Sequence, residues 1–212
     1  MTKAQFITLE GSEGVGKTTN LEYIESLLRD KAIDYVVTRE PGGTDLGEQL
    51  RELLLGHQHT GMADDTELLM MFAARAEHLD KVIKPALARG QWVLCDRFTD
   101  ATYAYQGGGR GIDPLRIKIL EDYVQGDCRP DLTLLLDAPI EIGRERAGKR
   151  SAPDRFEKEQ AAFFNKVRAA YLQRASDDSK RIKVIDASLE LDAVKLQIDH
   201  QMQSFFNHLN SN

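Results

Sequence analysis

Two cysteines in 212 residues, Cys95 and Cys128, are too few for a disulfide framework, and with no CxxC pair they suggest no zinc site. Cys95 follows the apolar run Trp92-Val93-Leu94 and reads as a buried thiol. Positive charge is also scarce: 28 Lys and Arg against 34 Asp and Glu give a net charge of -6. That is a poor footing for a general nucleic-acid binder, although it leaves room for a local basic pocket. The longest aliphatic run, Leu132 to Leu136, falls far short of the roughly 20 residues that cross a bilayer. The opening MTKAQFITLEG has none of the apolar stretch of a signal peptide. The expectation is a cytoplasmic chain with no membrane or nucleic-acid partner. There is no internal repeat and no low-complexity linker, and 42% hydrophobic with 29% charged residues suits a globular chain, so residues 1–212 are expected to form one domain.

What is present is an alternation. Short apolar runs at Phe6–Leu9, Tyr35–Val37, Trp92–Cys95, Leu132–Leu136 and Ile182–Ile185 look like strands covered on both faces. Between them lie helical stripes: Leu21, Ile24, Leu27 and Leu28; then Leu68, Met71 and Phe72, continuing toward Leu79 and Ile83; then Phe164, Val167, Tyr171 and Leu172. Strands alternating with helices predict an α/β fold with a parallel sheet, whose ligand sits at the carboxyl ends of the strands.

The segment Gly11-Ser12-Glu13-Gly14-Val15-Gly16-Lys17-Thr18 fits GxxxxGK[ST] and lies between the first strand and the first helical stripe. A triphosphate needs several backbone N–H groups turned inward, and glycine permits those turns. Lys17 supplies a positive charge for the β- and γ-phosphates, Thr18 a hydroxyl for Mg²⁺, and the helix that follows offers its positive end to the anion. The motif alone predicts a purine-triphosphate site and does not separate a kinase from a switch or motor.

Arginines stand at the strand ends. Arg39 follows the second strand in Thr38-Arg39-Glu40-Pro41-Gly42-Gly43-Thr44, Arg97 follows the third in Asp96-Arg97-Phe98, and Arg75 lies on a helix. An enzyme that brings two phosphate groups together needs more cations than one that hydrolyses a triphosphate, and the arginine fork grips phosphate at two points. Both Asp96 and Asp137 end apolar runs, and either fits the acid that helps hold a metal-nucleotide complex.

With these motifs in order, the chain resembles thymidylate kinases of the bacterial type. The resemblance rests on Thr38 to Thr44, on Asp96-Arg97, on Tyr105-Gln106-Gly107-Gly108-Gly109-Arg110-Gly111, on Asp131 to Asp137 and on Asp154-Arg155-Phe156-Glu157. It implies a P-loop NTPase three-layer fold, with a central five-stranded parallel sheet and a helical lid. It also implies transfer of a phosphoryl group from ATP to dTMP, Mg²⁺ dependence and a homodimer. By the same resemblance Arg39 and Arg97 hold the dTMP phosphate, Arg75 hydrogen-bonds the thymine ring, and Gln106 with Tyr105 lines the nucleoside pocket. Glu13 corresponds to a loop carboxylate that orients the sugar or an arginine, and Asp96 is favoured over Asp137 for the Mg²⁺ site. Where the family often stacks an aromatic ring on the base, four residues before the helix arginine, this chain has Met71, with Phe72 beside it. Either is a candidate for the base.

A cationic stretch, Arg144, Arg146, Lys149, Arg150 and Arg155, is broken by Gly148 and Ser151-Ala152-Pro153, and marks a lid at about 143–156. No cation stands between Glu13 and Gly16, so the lid is expected to bring the missing charge, with Arg150 and Arg155 as first candidates. Two other activities compete: a kinase for neutral deoxynucleosides, which needs fewer acceptor-side cations, and a GTPase-type switch, whose NKxD guanine reader is missing. A non-catalytic nucleotide-binding module is disfavoured by the intact Lys17, Thr18 and Asp96.

Overall fold

The computed structural model describes residues 4–147, 155–157 and 159–210. Five strands, β1 (Phe6–Glu10), β2 (Tyr35–Arg39), β3 (Trp92–Asp96), β4 (Leu132–Asp137) and β5 (Ile182–Asp186), pair in parallel in the order β2-β3-β1-β4-β5. The central strands β1, β3 and β4 are buried along nearly their whole length, which explains their unbroken apolar runs. The edge strands are not: Val37 on β2 and Val184 on β5 stay largely in solvent.

Alternation along each strand assigns side chains to opposite layers. Ile7, Leu9, Leu94, Leu134 and Leu136 pack on one side with Ile24 and Leu28 of α1 (Lys17–Asp30) and with Ile198, Met202 and Phe206 of α9 (Leu191–Asn210). Phe6, Val93 and Cys95 face the other side with Leu79, Ile83 and Phe98. There Leu135 also meets Phe164, Val167 and Tyr171 of α8 (Ala161–Asp177). The expected three-layer α/β arrangement is therefore present. The expected helical stripes are also the buried faces of their helices.

Two chain segments carry the residues expected on the acceptor side. The first is α2 (Asp45–Leu55), capped by the Thr44 hydroxyl, which accepts the Gly47 amide at 2.9 Å. It leads to α3 (Asp64–His78), which runs through a π-helical turn at Leu79–Ile83 into α4 (Lys84–Ala88). The second segment starts after β3, where α5 (Thr99–Thr102) passes into a π-helical stretch, Tyr103–Gly109, and then α6 (Pro114–Gln125). The π-helical stretch presses on α8: a Cβ on Gly108 would meet the Lys166 carbonyl at 2.8 Å, so the glycines permit the close approach. After β4 comes α7 (Ile140–Ala147).

Because β1 lies between β3 and β4, consecutive connections leave the sheet in opposite directions around it. That makes the carboxyl end of β1 the switch point where ligands bind in such sheets. The Gly11–Thr18 loop, Arg39, Asp96-Arg97 and Asp137 all sit at this end.

Candidate active site

The loop from Gly11 to Gly16 turns through positive φ at Gly11, Gly14 and Gly16, and α1 begins directly after it with no side chain capping its first turn. Its amides are therefore left for a ligand, as an anion-binding helix start requires. Gly14 cannot be replaced without displacement: a Cβ there would stand 1.9 Å from the Gly143 carbonyl oxygen of α7. Val15 turns its side chain into the core, so only its backbone faces the loop's concavity. Lys17 folds back, donating to the Gly11 carbonyl at 3.2 Å and the Ser12 carbonyl at 2.9 Å. Burial pulls its pKa down and Arg97 adds to this, against the pull of Glu13 and Asp96.

A cleft of about 300 Å³ opens beside the loop. Its walls carry Lys17, Arg39, Arg51, Arg75 and Arg97 against the carboxylates Glu13, Glu40 and Asp96. A chain of net charge -6 has thus gathered an excess of cations at one place. Of the other expected residues, Thr18, Met71, Tyr105 and Gln106 line the same walls.

Arg97 is the junction between the loop and the rest of the cleft. It takes a left-handed backbone, φ 68°, which carries its side chain back over the loop. Its Nη2 donates to Glu13 at 2.5 Å and to the Gly11 carbonyl at 3.3 Å, and its guanidinium lies 4.8 Å from the Tyr105 ring. The Tyr105 hydroxyl also donates to Glu13, at 3.1 Å. Burial alone would raise the Glu13 carboxyl, but Arg97 and Lys17 outweigh it and hold it at about 2. Of the two roles open to Glu13, this geometry gives it the arginine. Beneath the turn, Glu10 is fully buried, accepting the Phe98 amide at 2.7 Å and the Tyr171 hydroxyl at 2.8 Å. Burial and the neighbouring Asp100 push its carboxyl up to about 8 against those hydrogen bonds.

Asp96 and Asp137, equivalent in the sequence, differ here. The Asp137 carboxylate is gripped at both oxygens by Arg168 of α8, at 2.7 and 2.8 Å. Asp96 lines the cleft, and its buried Oδ1 has no partner among the described residues. A buried acceptor without a partner is costly and points to a ligand.

Arg75 is almost fully enclosed. Its Nε donates to Glu40 at 2.7 Å and its Nη2 to the Thr102 hydroxyl at 2.9 Å, while the guanidinium lies 4.8 Å from the Phe72 ring and 5.0 Å from the Phe98 ring. Its Nη1 has no partner among the described residues. Arg39 is at the exposed rim, held by Glu48 at 2.8 Å.

Three expectations are corrected or fall outside the described residues. Phe72 does not line the cleft: it is buried with Leu68, Tyr103, Ile112 and Ile117, behind Arg75. Successive residues on a helix diverge by about 100°, so Met71 and Arg75, four apart, share the cleft face and Phe72 turns inward. Arg155 does not face the loop. It donates to the Leu54 carbonyl at 2.7 Å and to buried Glu67 at 2.6 Å, joining Arg110 as a cation on that buried carboxylate. Arg150 lies outside the described residues, as do 148–154 of the expected lid. Its first residues, from 143, are part of α7, and Arg146 is bonded to the Ala187 carbonyl at 2.8 Å.

Some cleft residues went unnoticed in the sequence. Arg51 of α2 lines the cleft and donates to the Pro41 carbonyl at 2.8 Å, but a lone arginine inside a helix carries no motif. Glu40 was in view only as part of a motif. Gly143 could be found only from its contact with Gly14.

A family model described as thymidylate kinase matches residues 9–198. The chain is 61% identical over 194 residues to a thymidylate kinase of Pseudomonas entomophila, covering 92% of each protein. It is 58% identical over 199 residues to one of Ectopseudomonas mendocina, covering 94% of this chain and 95% of that relative. A crystal structure of thymidylate kinase from Ehrlichia chaffeensis matches with a TM-score of 0.77 at 36% identity, covering 94% of this chain and 98% of the other.

Proposed function

The chain belongs to the thymidylate kinase family, and we propose that its cleft performs phosphoryl transfer from ATP to dTMP, giving ADP and dTDP, through the following residues. The Gly11–Thr18 loop holds the ATP phosphates with its backbone amides, and Lys17 neutralises the β- and γ-phosphates. Arg39 and Arg97 hold the dTMP phosphate. Met71 packs its thioether on the thymine face, and Tyr105 and Gln106 wall the nucleoside. The free Nη1 of Arg75 donates to a base carbonyl. The observation that carries this reading is the gathering of five cations, from the loop and from separate elements, around one cleft beside an unpartnered helix start.

The acceptor is already an anion, so no general base is needed. A dTMP phosphate oxygen attacks the γ-phosphorus in line. The new O–P bond forms as the bond to the β-bridging oxygen breaks, and ADP leaves with that electron pair. The work of the protein is positioning and charge neutralisation. Glu13 keeps Arg97 aligned between the two phosphates. The buried free Oδ1 of Asp96 and the Thr18 hydroxyl are hard oxygen donors that suit Mg²⁺, which would neutralise charge on the ATP phosphates.

A lid at about 143–156, with Arg150 as its cation, remains part of the proposal. Arg155 is better suited to anchoring the end of that segment on Glu67. A cytoplasmic homodimer belongs to the same reading. On α6, Leu115, Ile119 and Tyr123, spaced by four, are 70%, 68% and 87% exposed and offer an apolar stripe for a second copy. Among the described residues no helix is long and apolar enough to cross a membrane.

The test is ADP formation from ATP and Mg²⁺ with dTMP, dUMP, dCMP, dGMP, AMP or thymidine as acceptor. Strong preference for dTMP is expected. Turnover of thymidine at a comparable rate would overturn the acceptor-phosphate assignment, and turnover with none of the acceptors would overturn the kinase reading.

A further inference from the structure

Behind Arg75 lies a buried chain of side chains that the reaction itself does not use. Glu40, on the segment after β2, accepts Arg75 Nε at one carboxylate oxygen and contacts His78 Nδ1 at the other, 3.0 Å away. His78, at the end of α3, has no exposed surface, and its Nε2 lies 2.6 Å from the Thr38 hydroxyl of β2. Glu40 is also fixed by its own amide, which donates to the Asp96 carbonyl at 3.0 Å.

The chemistry of the partners assigns the protons. A carboxylate only accepts, so His78 presents Nδ1–H to Glu40. In the neutral imidazole Nε2 is then the acceptor, and the Thr38 hydroxyl donates to it. Both ring nitrogens of the histidine are used, and the imidazole can rotate only by breaking two hydrogen bonds, the one to Glu40 fully buried. With Glu40 held in this way, two of the three guanidinium nitrogens of Arg75 are committed, to Glu40 and Thr102. The third, Nη1, is buried and without a partner among the described residues, in a cleft-lining residue whose guanidinium is enclosed by Phe72 and Phe98.

We propose that His78 is a positioning residue for acceptor-base recognition: through Glu40 it fixes Arg75 so that a single guanidinium donor faces the base and selects a pyrimidine bearing a carbonyl, over one bearing an amino group, at the recognised edge. This rests on the reading of Arg75 as the base-facing donor. A donor that cannot swing away, and that brings no acceptor with it, leaves an amino-substituted ring with an unpaired buried group. That is the arrangement that discriminates strongly between otherwise similar ligands.

The test is steady-state kinetics of the full chain with dTMP and dCMP as acceptors, for wild type, His78→Leu, His78→Asn, Thr38→Val and Arg75→Lys. His78→Leu fills most of the ring volume but donates nothing to Glu40. It is expected to raise KM for dTMP about tenfold and to lower the dTMP-over-dCMP ratio of kcat/KM by a similar factor, with KM for ATP unchanged. The amide nitrogen of Asn falls where Nδ1 was, so His78→Asn restores most of both quantities. Thr38→Val shifts them in the same direction by less. Loss of packing alone would lower the melting temperature of both His78 variants and leave base preference untouched. That result overturns the proposal, as does an equal rise in KM for ATP and dTMP. Arg75→Lys separates this failure from that of the underlying reading. If it too leaves dTMP preference intact, Arg75 does not face the base, whereas if it alone abolishes preference, only the role of His78 falls.

Discussion

On the proposed donor side of the cleft, eight consecutive residues from Gly11 to Thr18 offer backbone amides, a helix start and Lys17 for a polyphosphate. On the proposed acceptor side, Arg39, Met71 with Arg75, Arg97, and Tyr105 with Gln106 come from the end of β2, from α3, from the turn after β3 and from the π-helical stretch. The first half is set by local conformation, with glycines that allow positive φ and a helix that begins where the loop ends. The second half is set by tertiary packing and is held by side-chain pairs distant in sequence, such as Arg75 with Glu40, 35 residues apart, His78 with Thr38, 40 apart, and Arg97 with Glu13, 84 apart. A change at Lys17 or Gly14 should therefore act on ATP and leave the acceptor half assembled, whereas Glu13, which bonds Arg97 and Tyr105, ties the loop to that half. A change in the acceptor network should act on dTMP.

The sharpest break in that comparison is Lys17→Ala. It is expected to lower kcat by about 10² to 10³ in the coupled assay, with the melting temperature nearly unchanged, because a preorganised cation at the transferring phosphate is lost without loss of core. Arg97→Ala comes next, with kcat/KM for dTMP down by roughly 10- to 100-fold and a smaller rise in KM for ATP. Equal losses for both nucleotides would make Arg97 part of the donor half. Gly14→Ala tests the backbone origin of the donor half. Its Cβ would collide with the Gly143 carbonyl, so KM for ATP should rise by about tenfold while the affinity for dTMP measured by calorimetry stays put.

The smallest effect concerns Glu10, which lies under both halves. Its carboxyl is raised from 4.5 to about 8, so between those values the folded chain holds a proton that the unfolded chain has released. The stability that this proton contributes is fully present below pH 4.5 and is lost as the pH rises through 8. The melting temperature of wild type should therefore fall relative to Glu10→Gln across that window and run parallel to it above. Parallel curves throughout would contradict the raised carboxyl.

The same division explains what could be read from the chain alone. The buried runs of β1, β3 and β4 and the glycine-lysine loop were legible because their cause is local: continuous apolar burial and a fixed spacing of small residues. Met71 and Phe72 could not be separated by adjacency, only by the orientation of α3 over the cleft. Asp96 and Asp137 end equivalent strands, and what distinguishes them is Arg168, 31 residues beyond Asp137. Arg155 read as a lid cation from its neighbours in sequence. Its partners Leu54 and Glu67 precede it by 101 and 88 residues, and no local pattern announces them. Arg51 and His78 were missed for the same reason.

The most direct test of the separation is a pair of calorimetric titrations on Lys17→Ala, one with ATP and one with dTMP. The account predicts a dTMP affinity equal to that of wild type alongside a marked loss of ATP affinity. Loss of both together would contradict it, because the donor loop and the acceptor network would then be one cooperative unit.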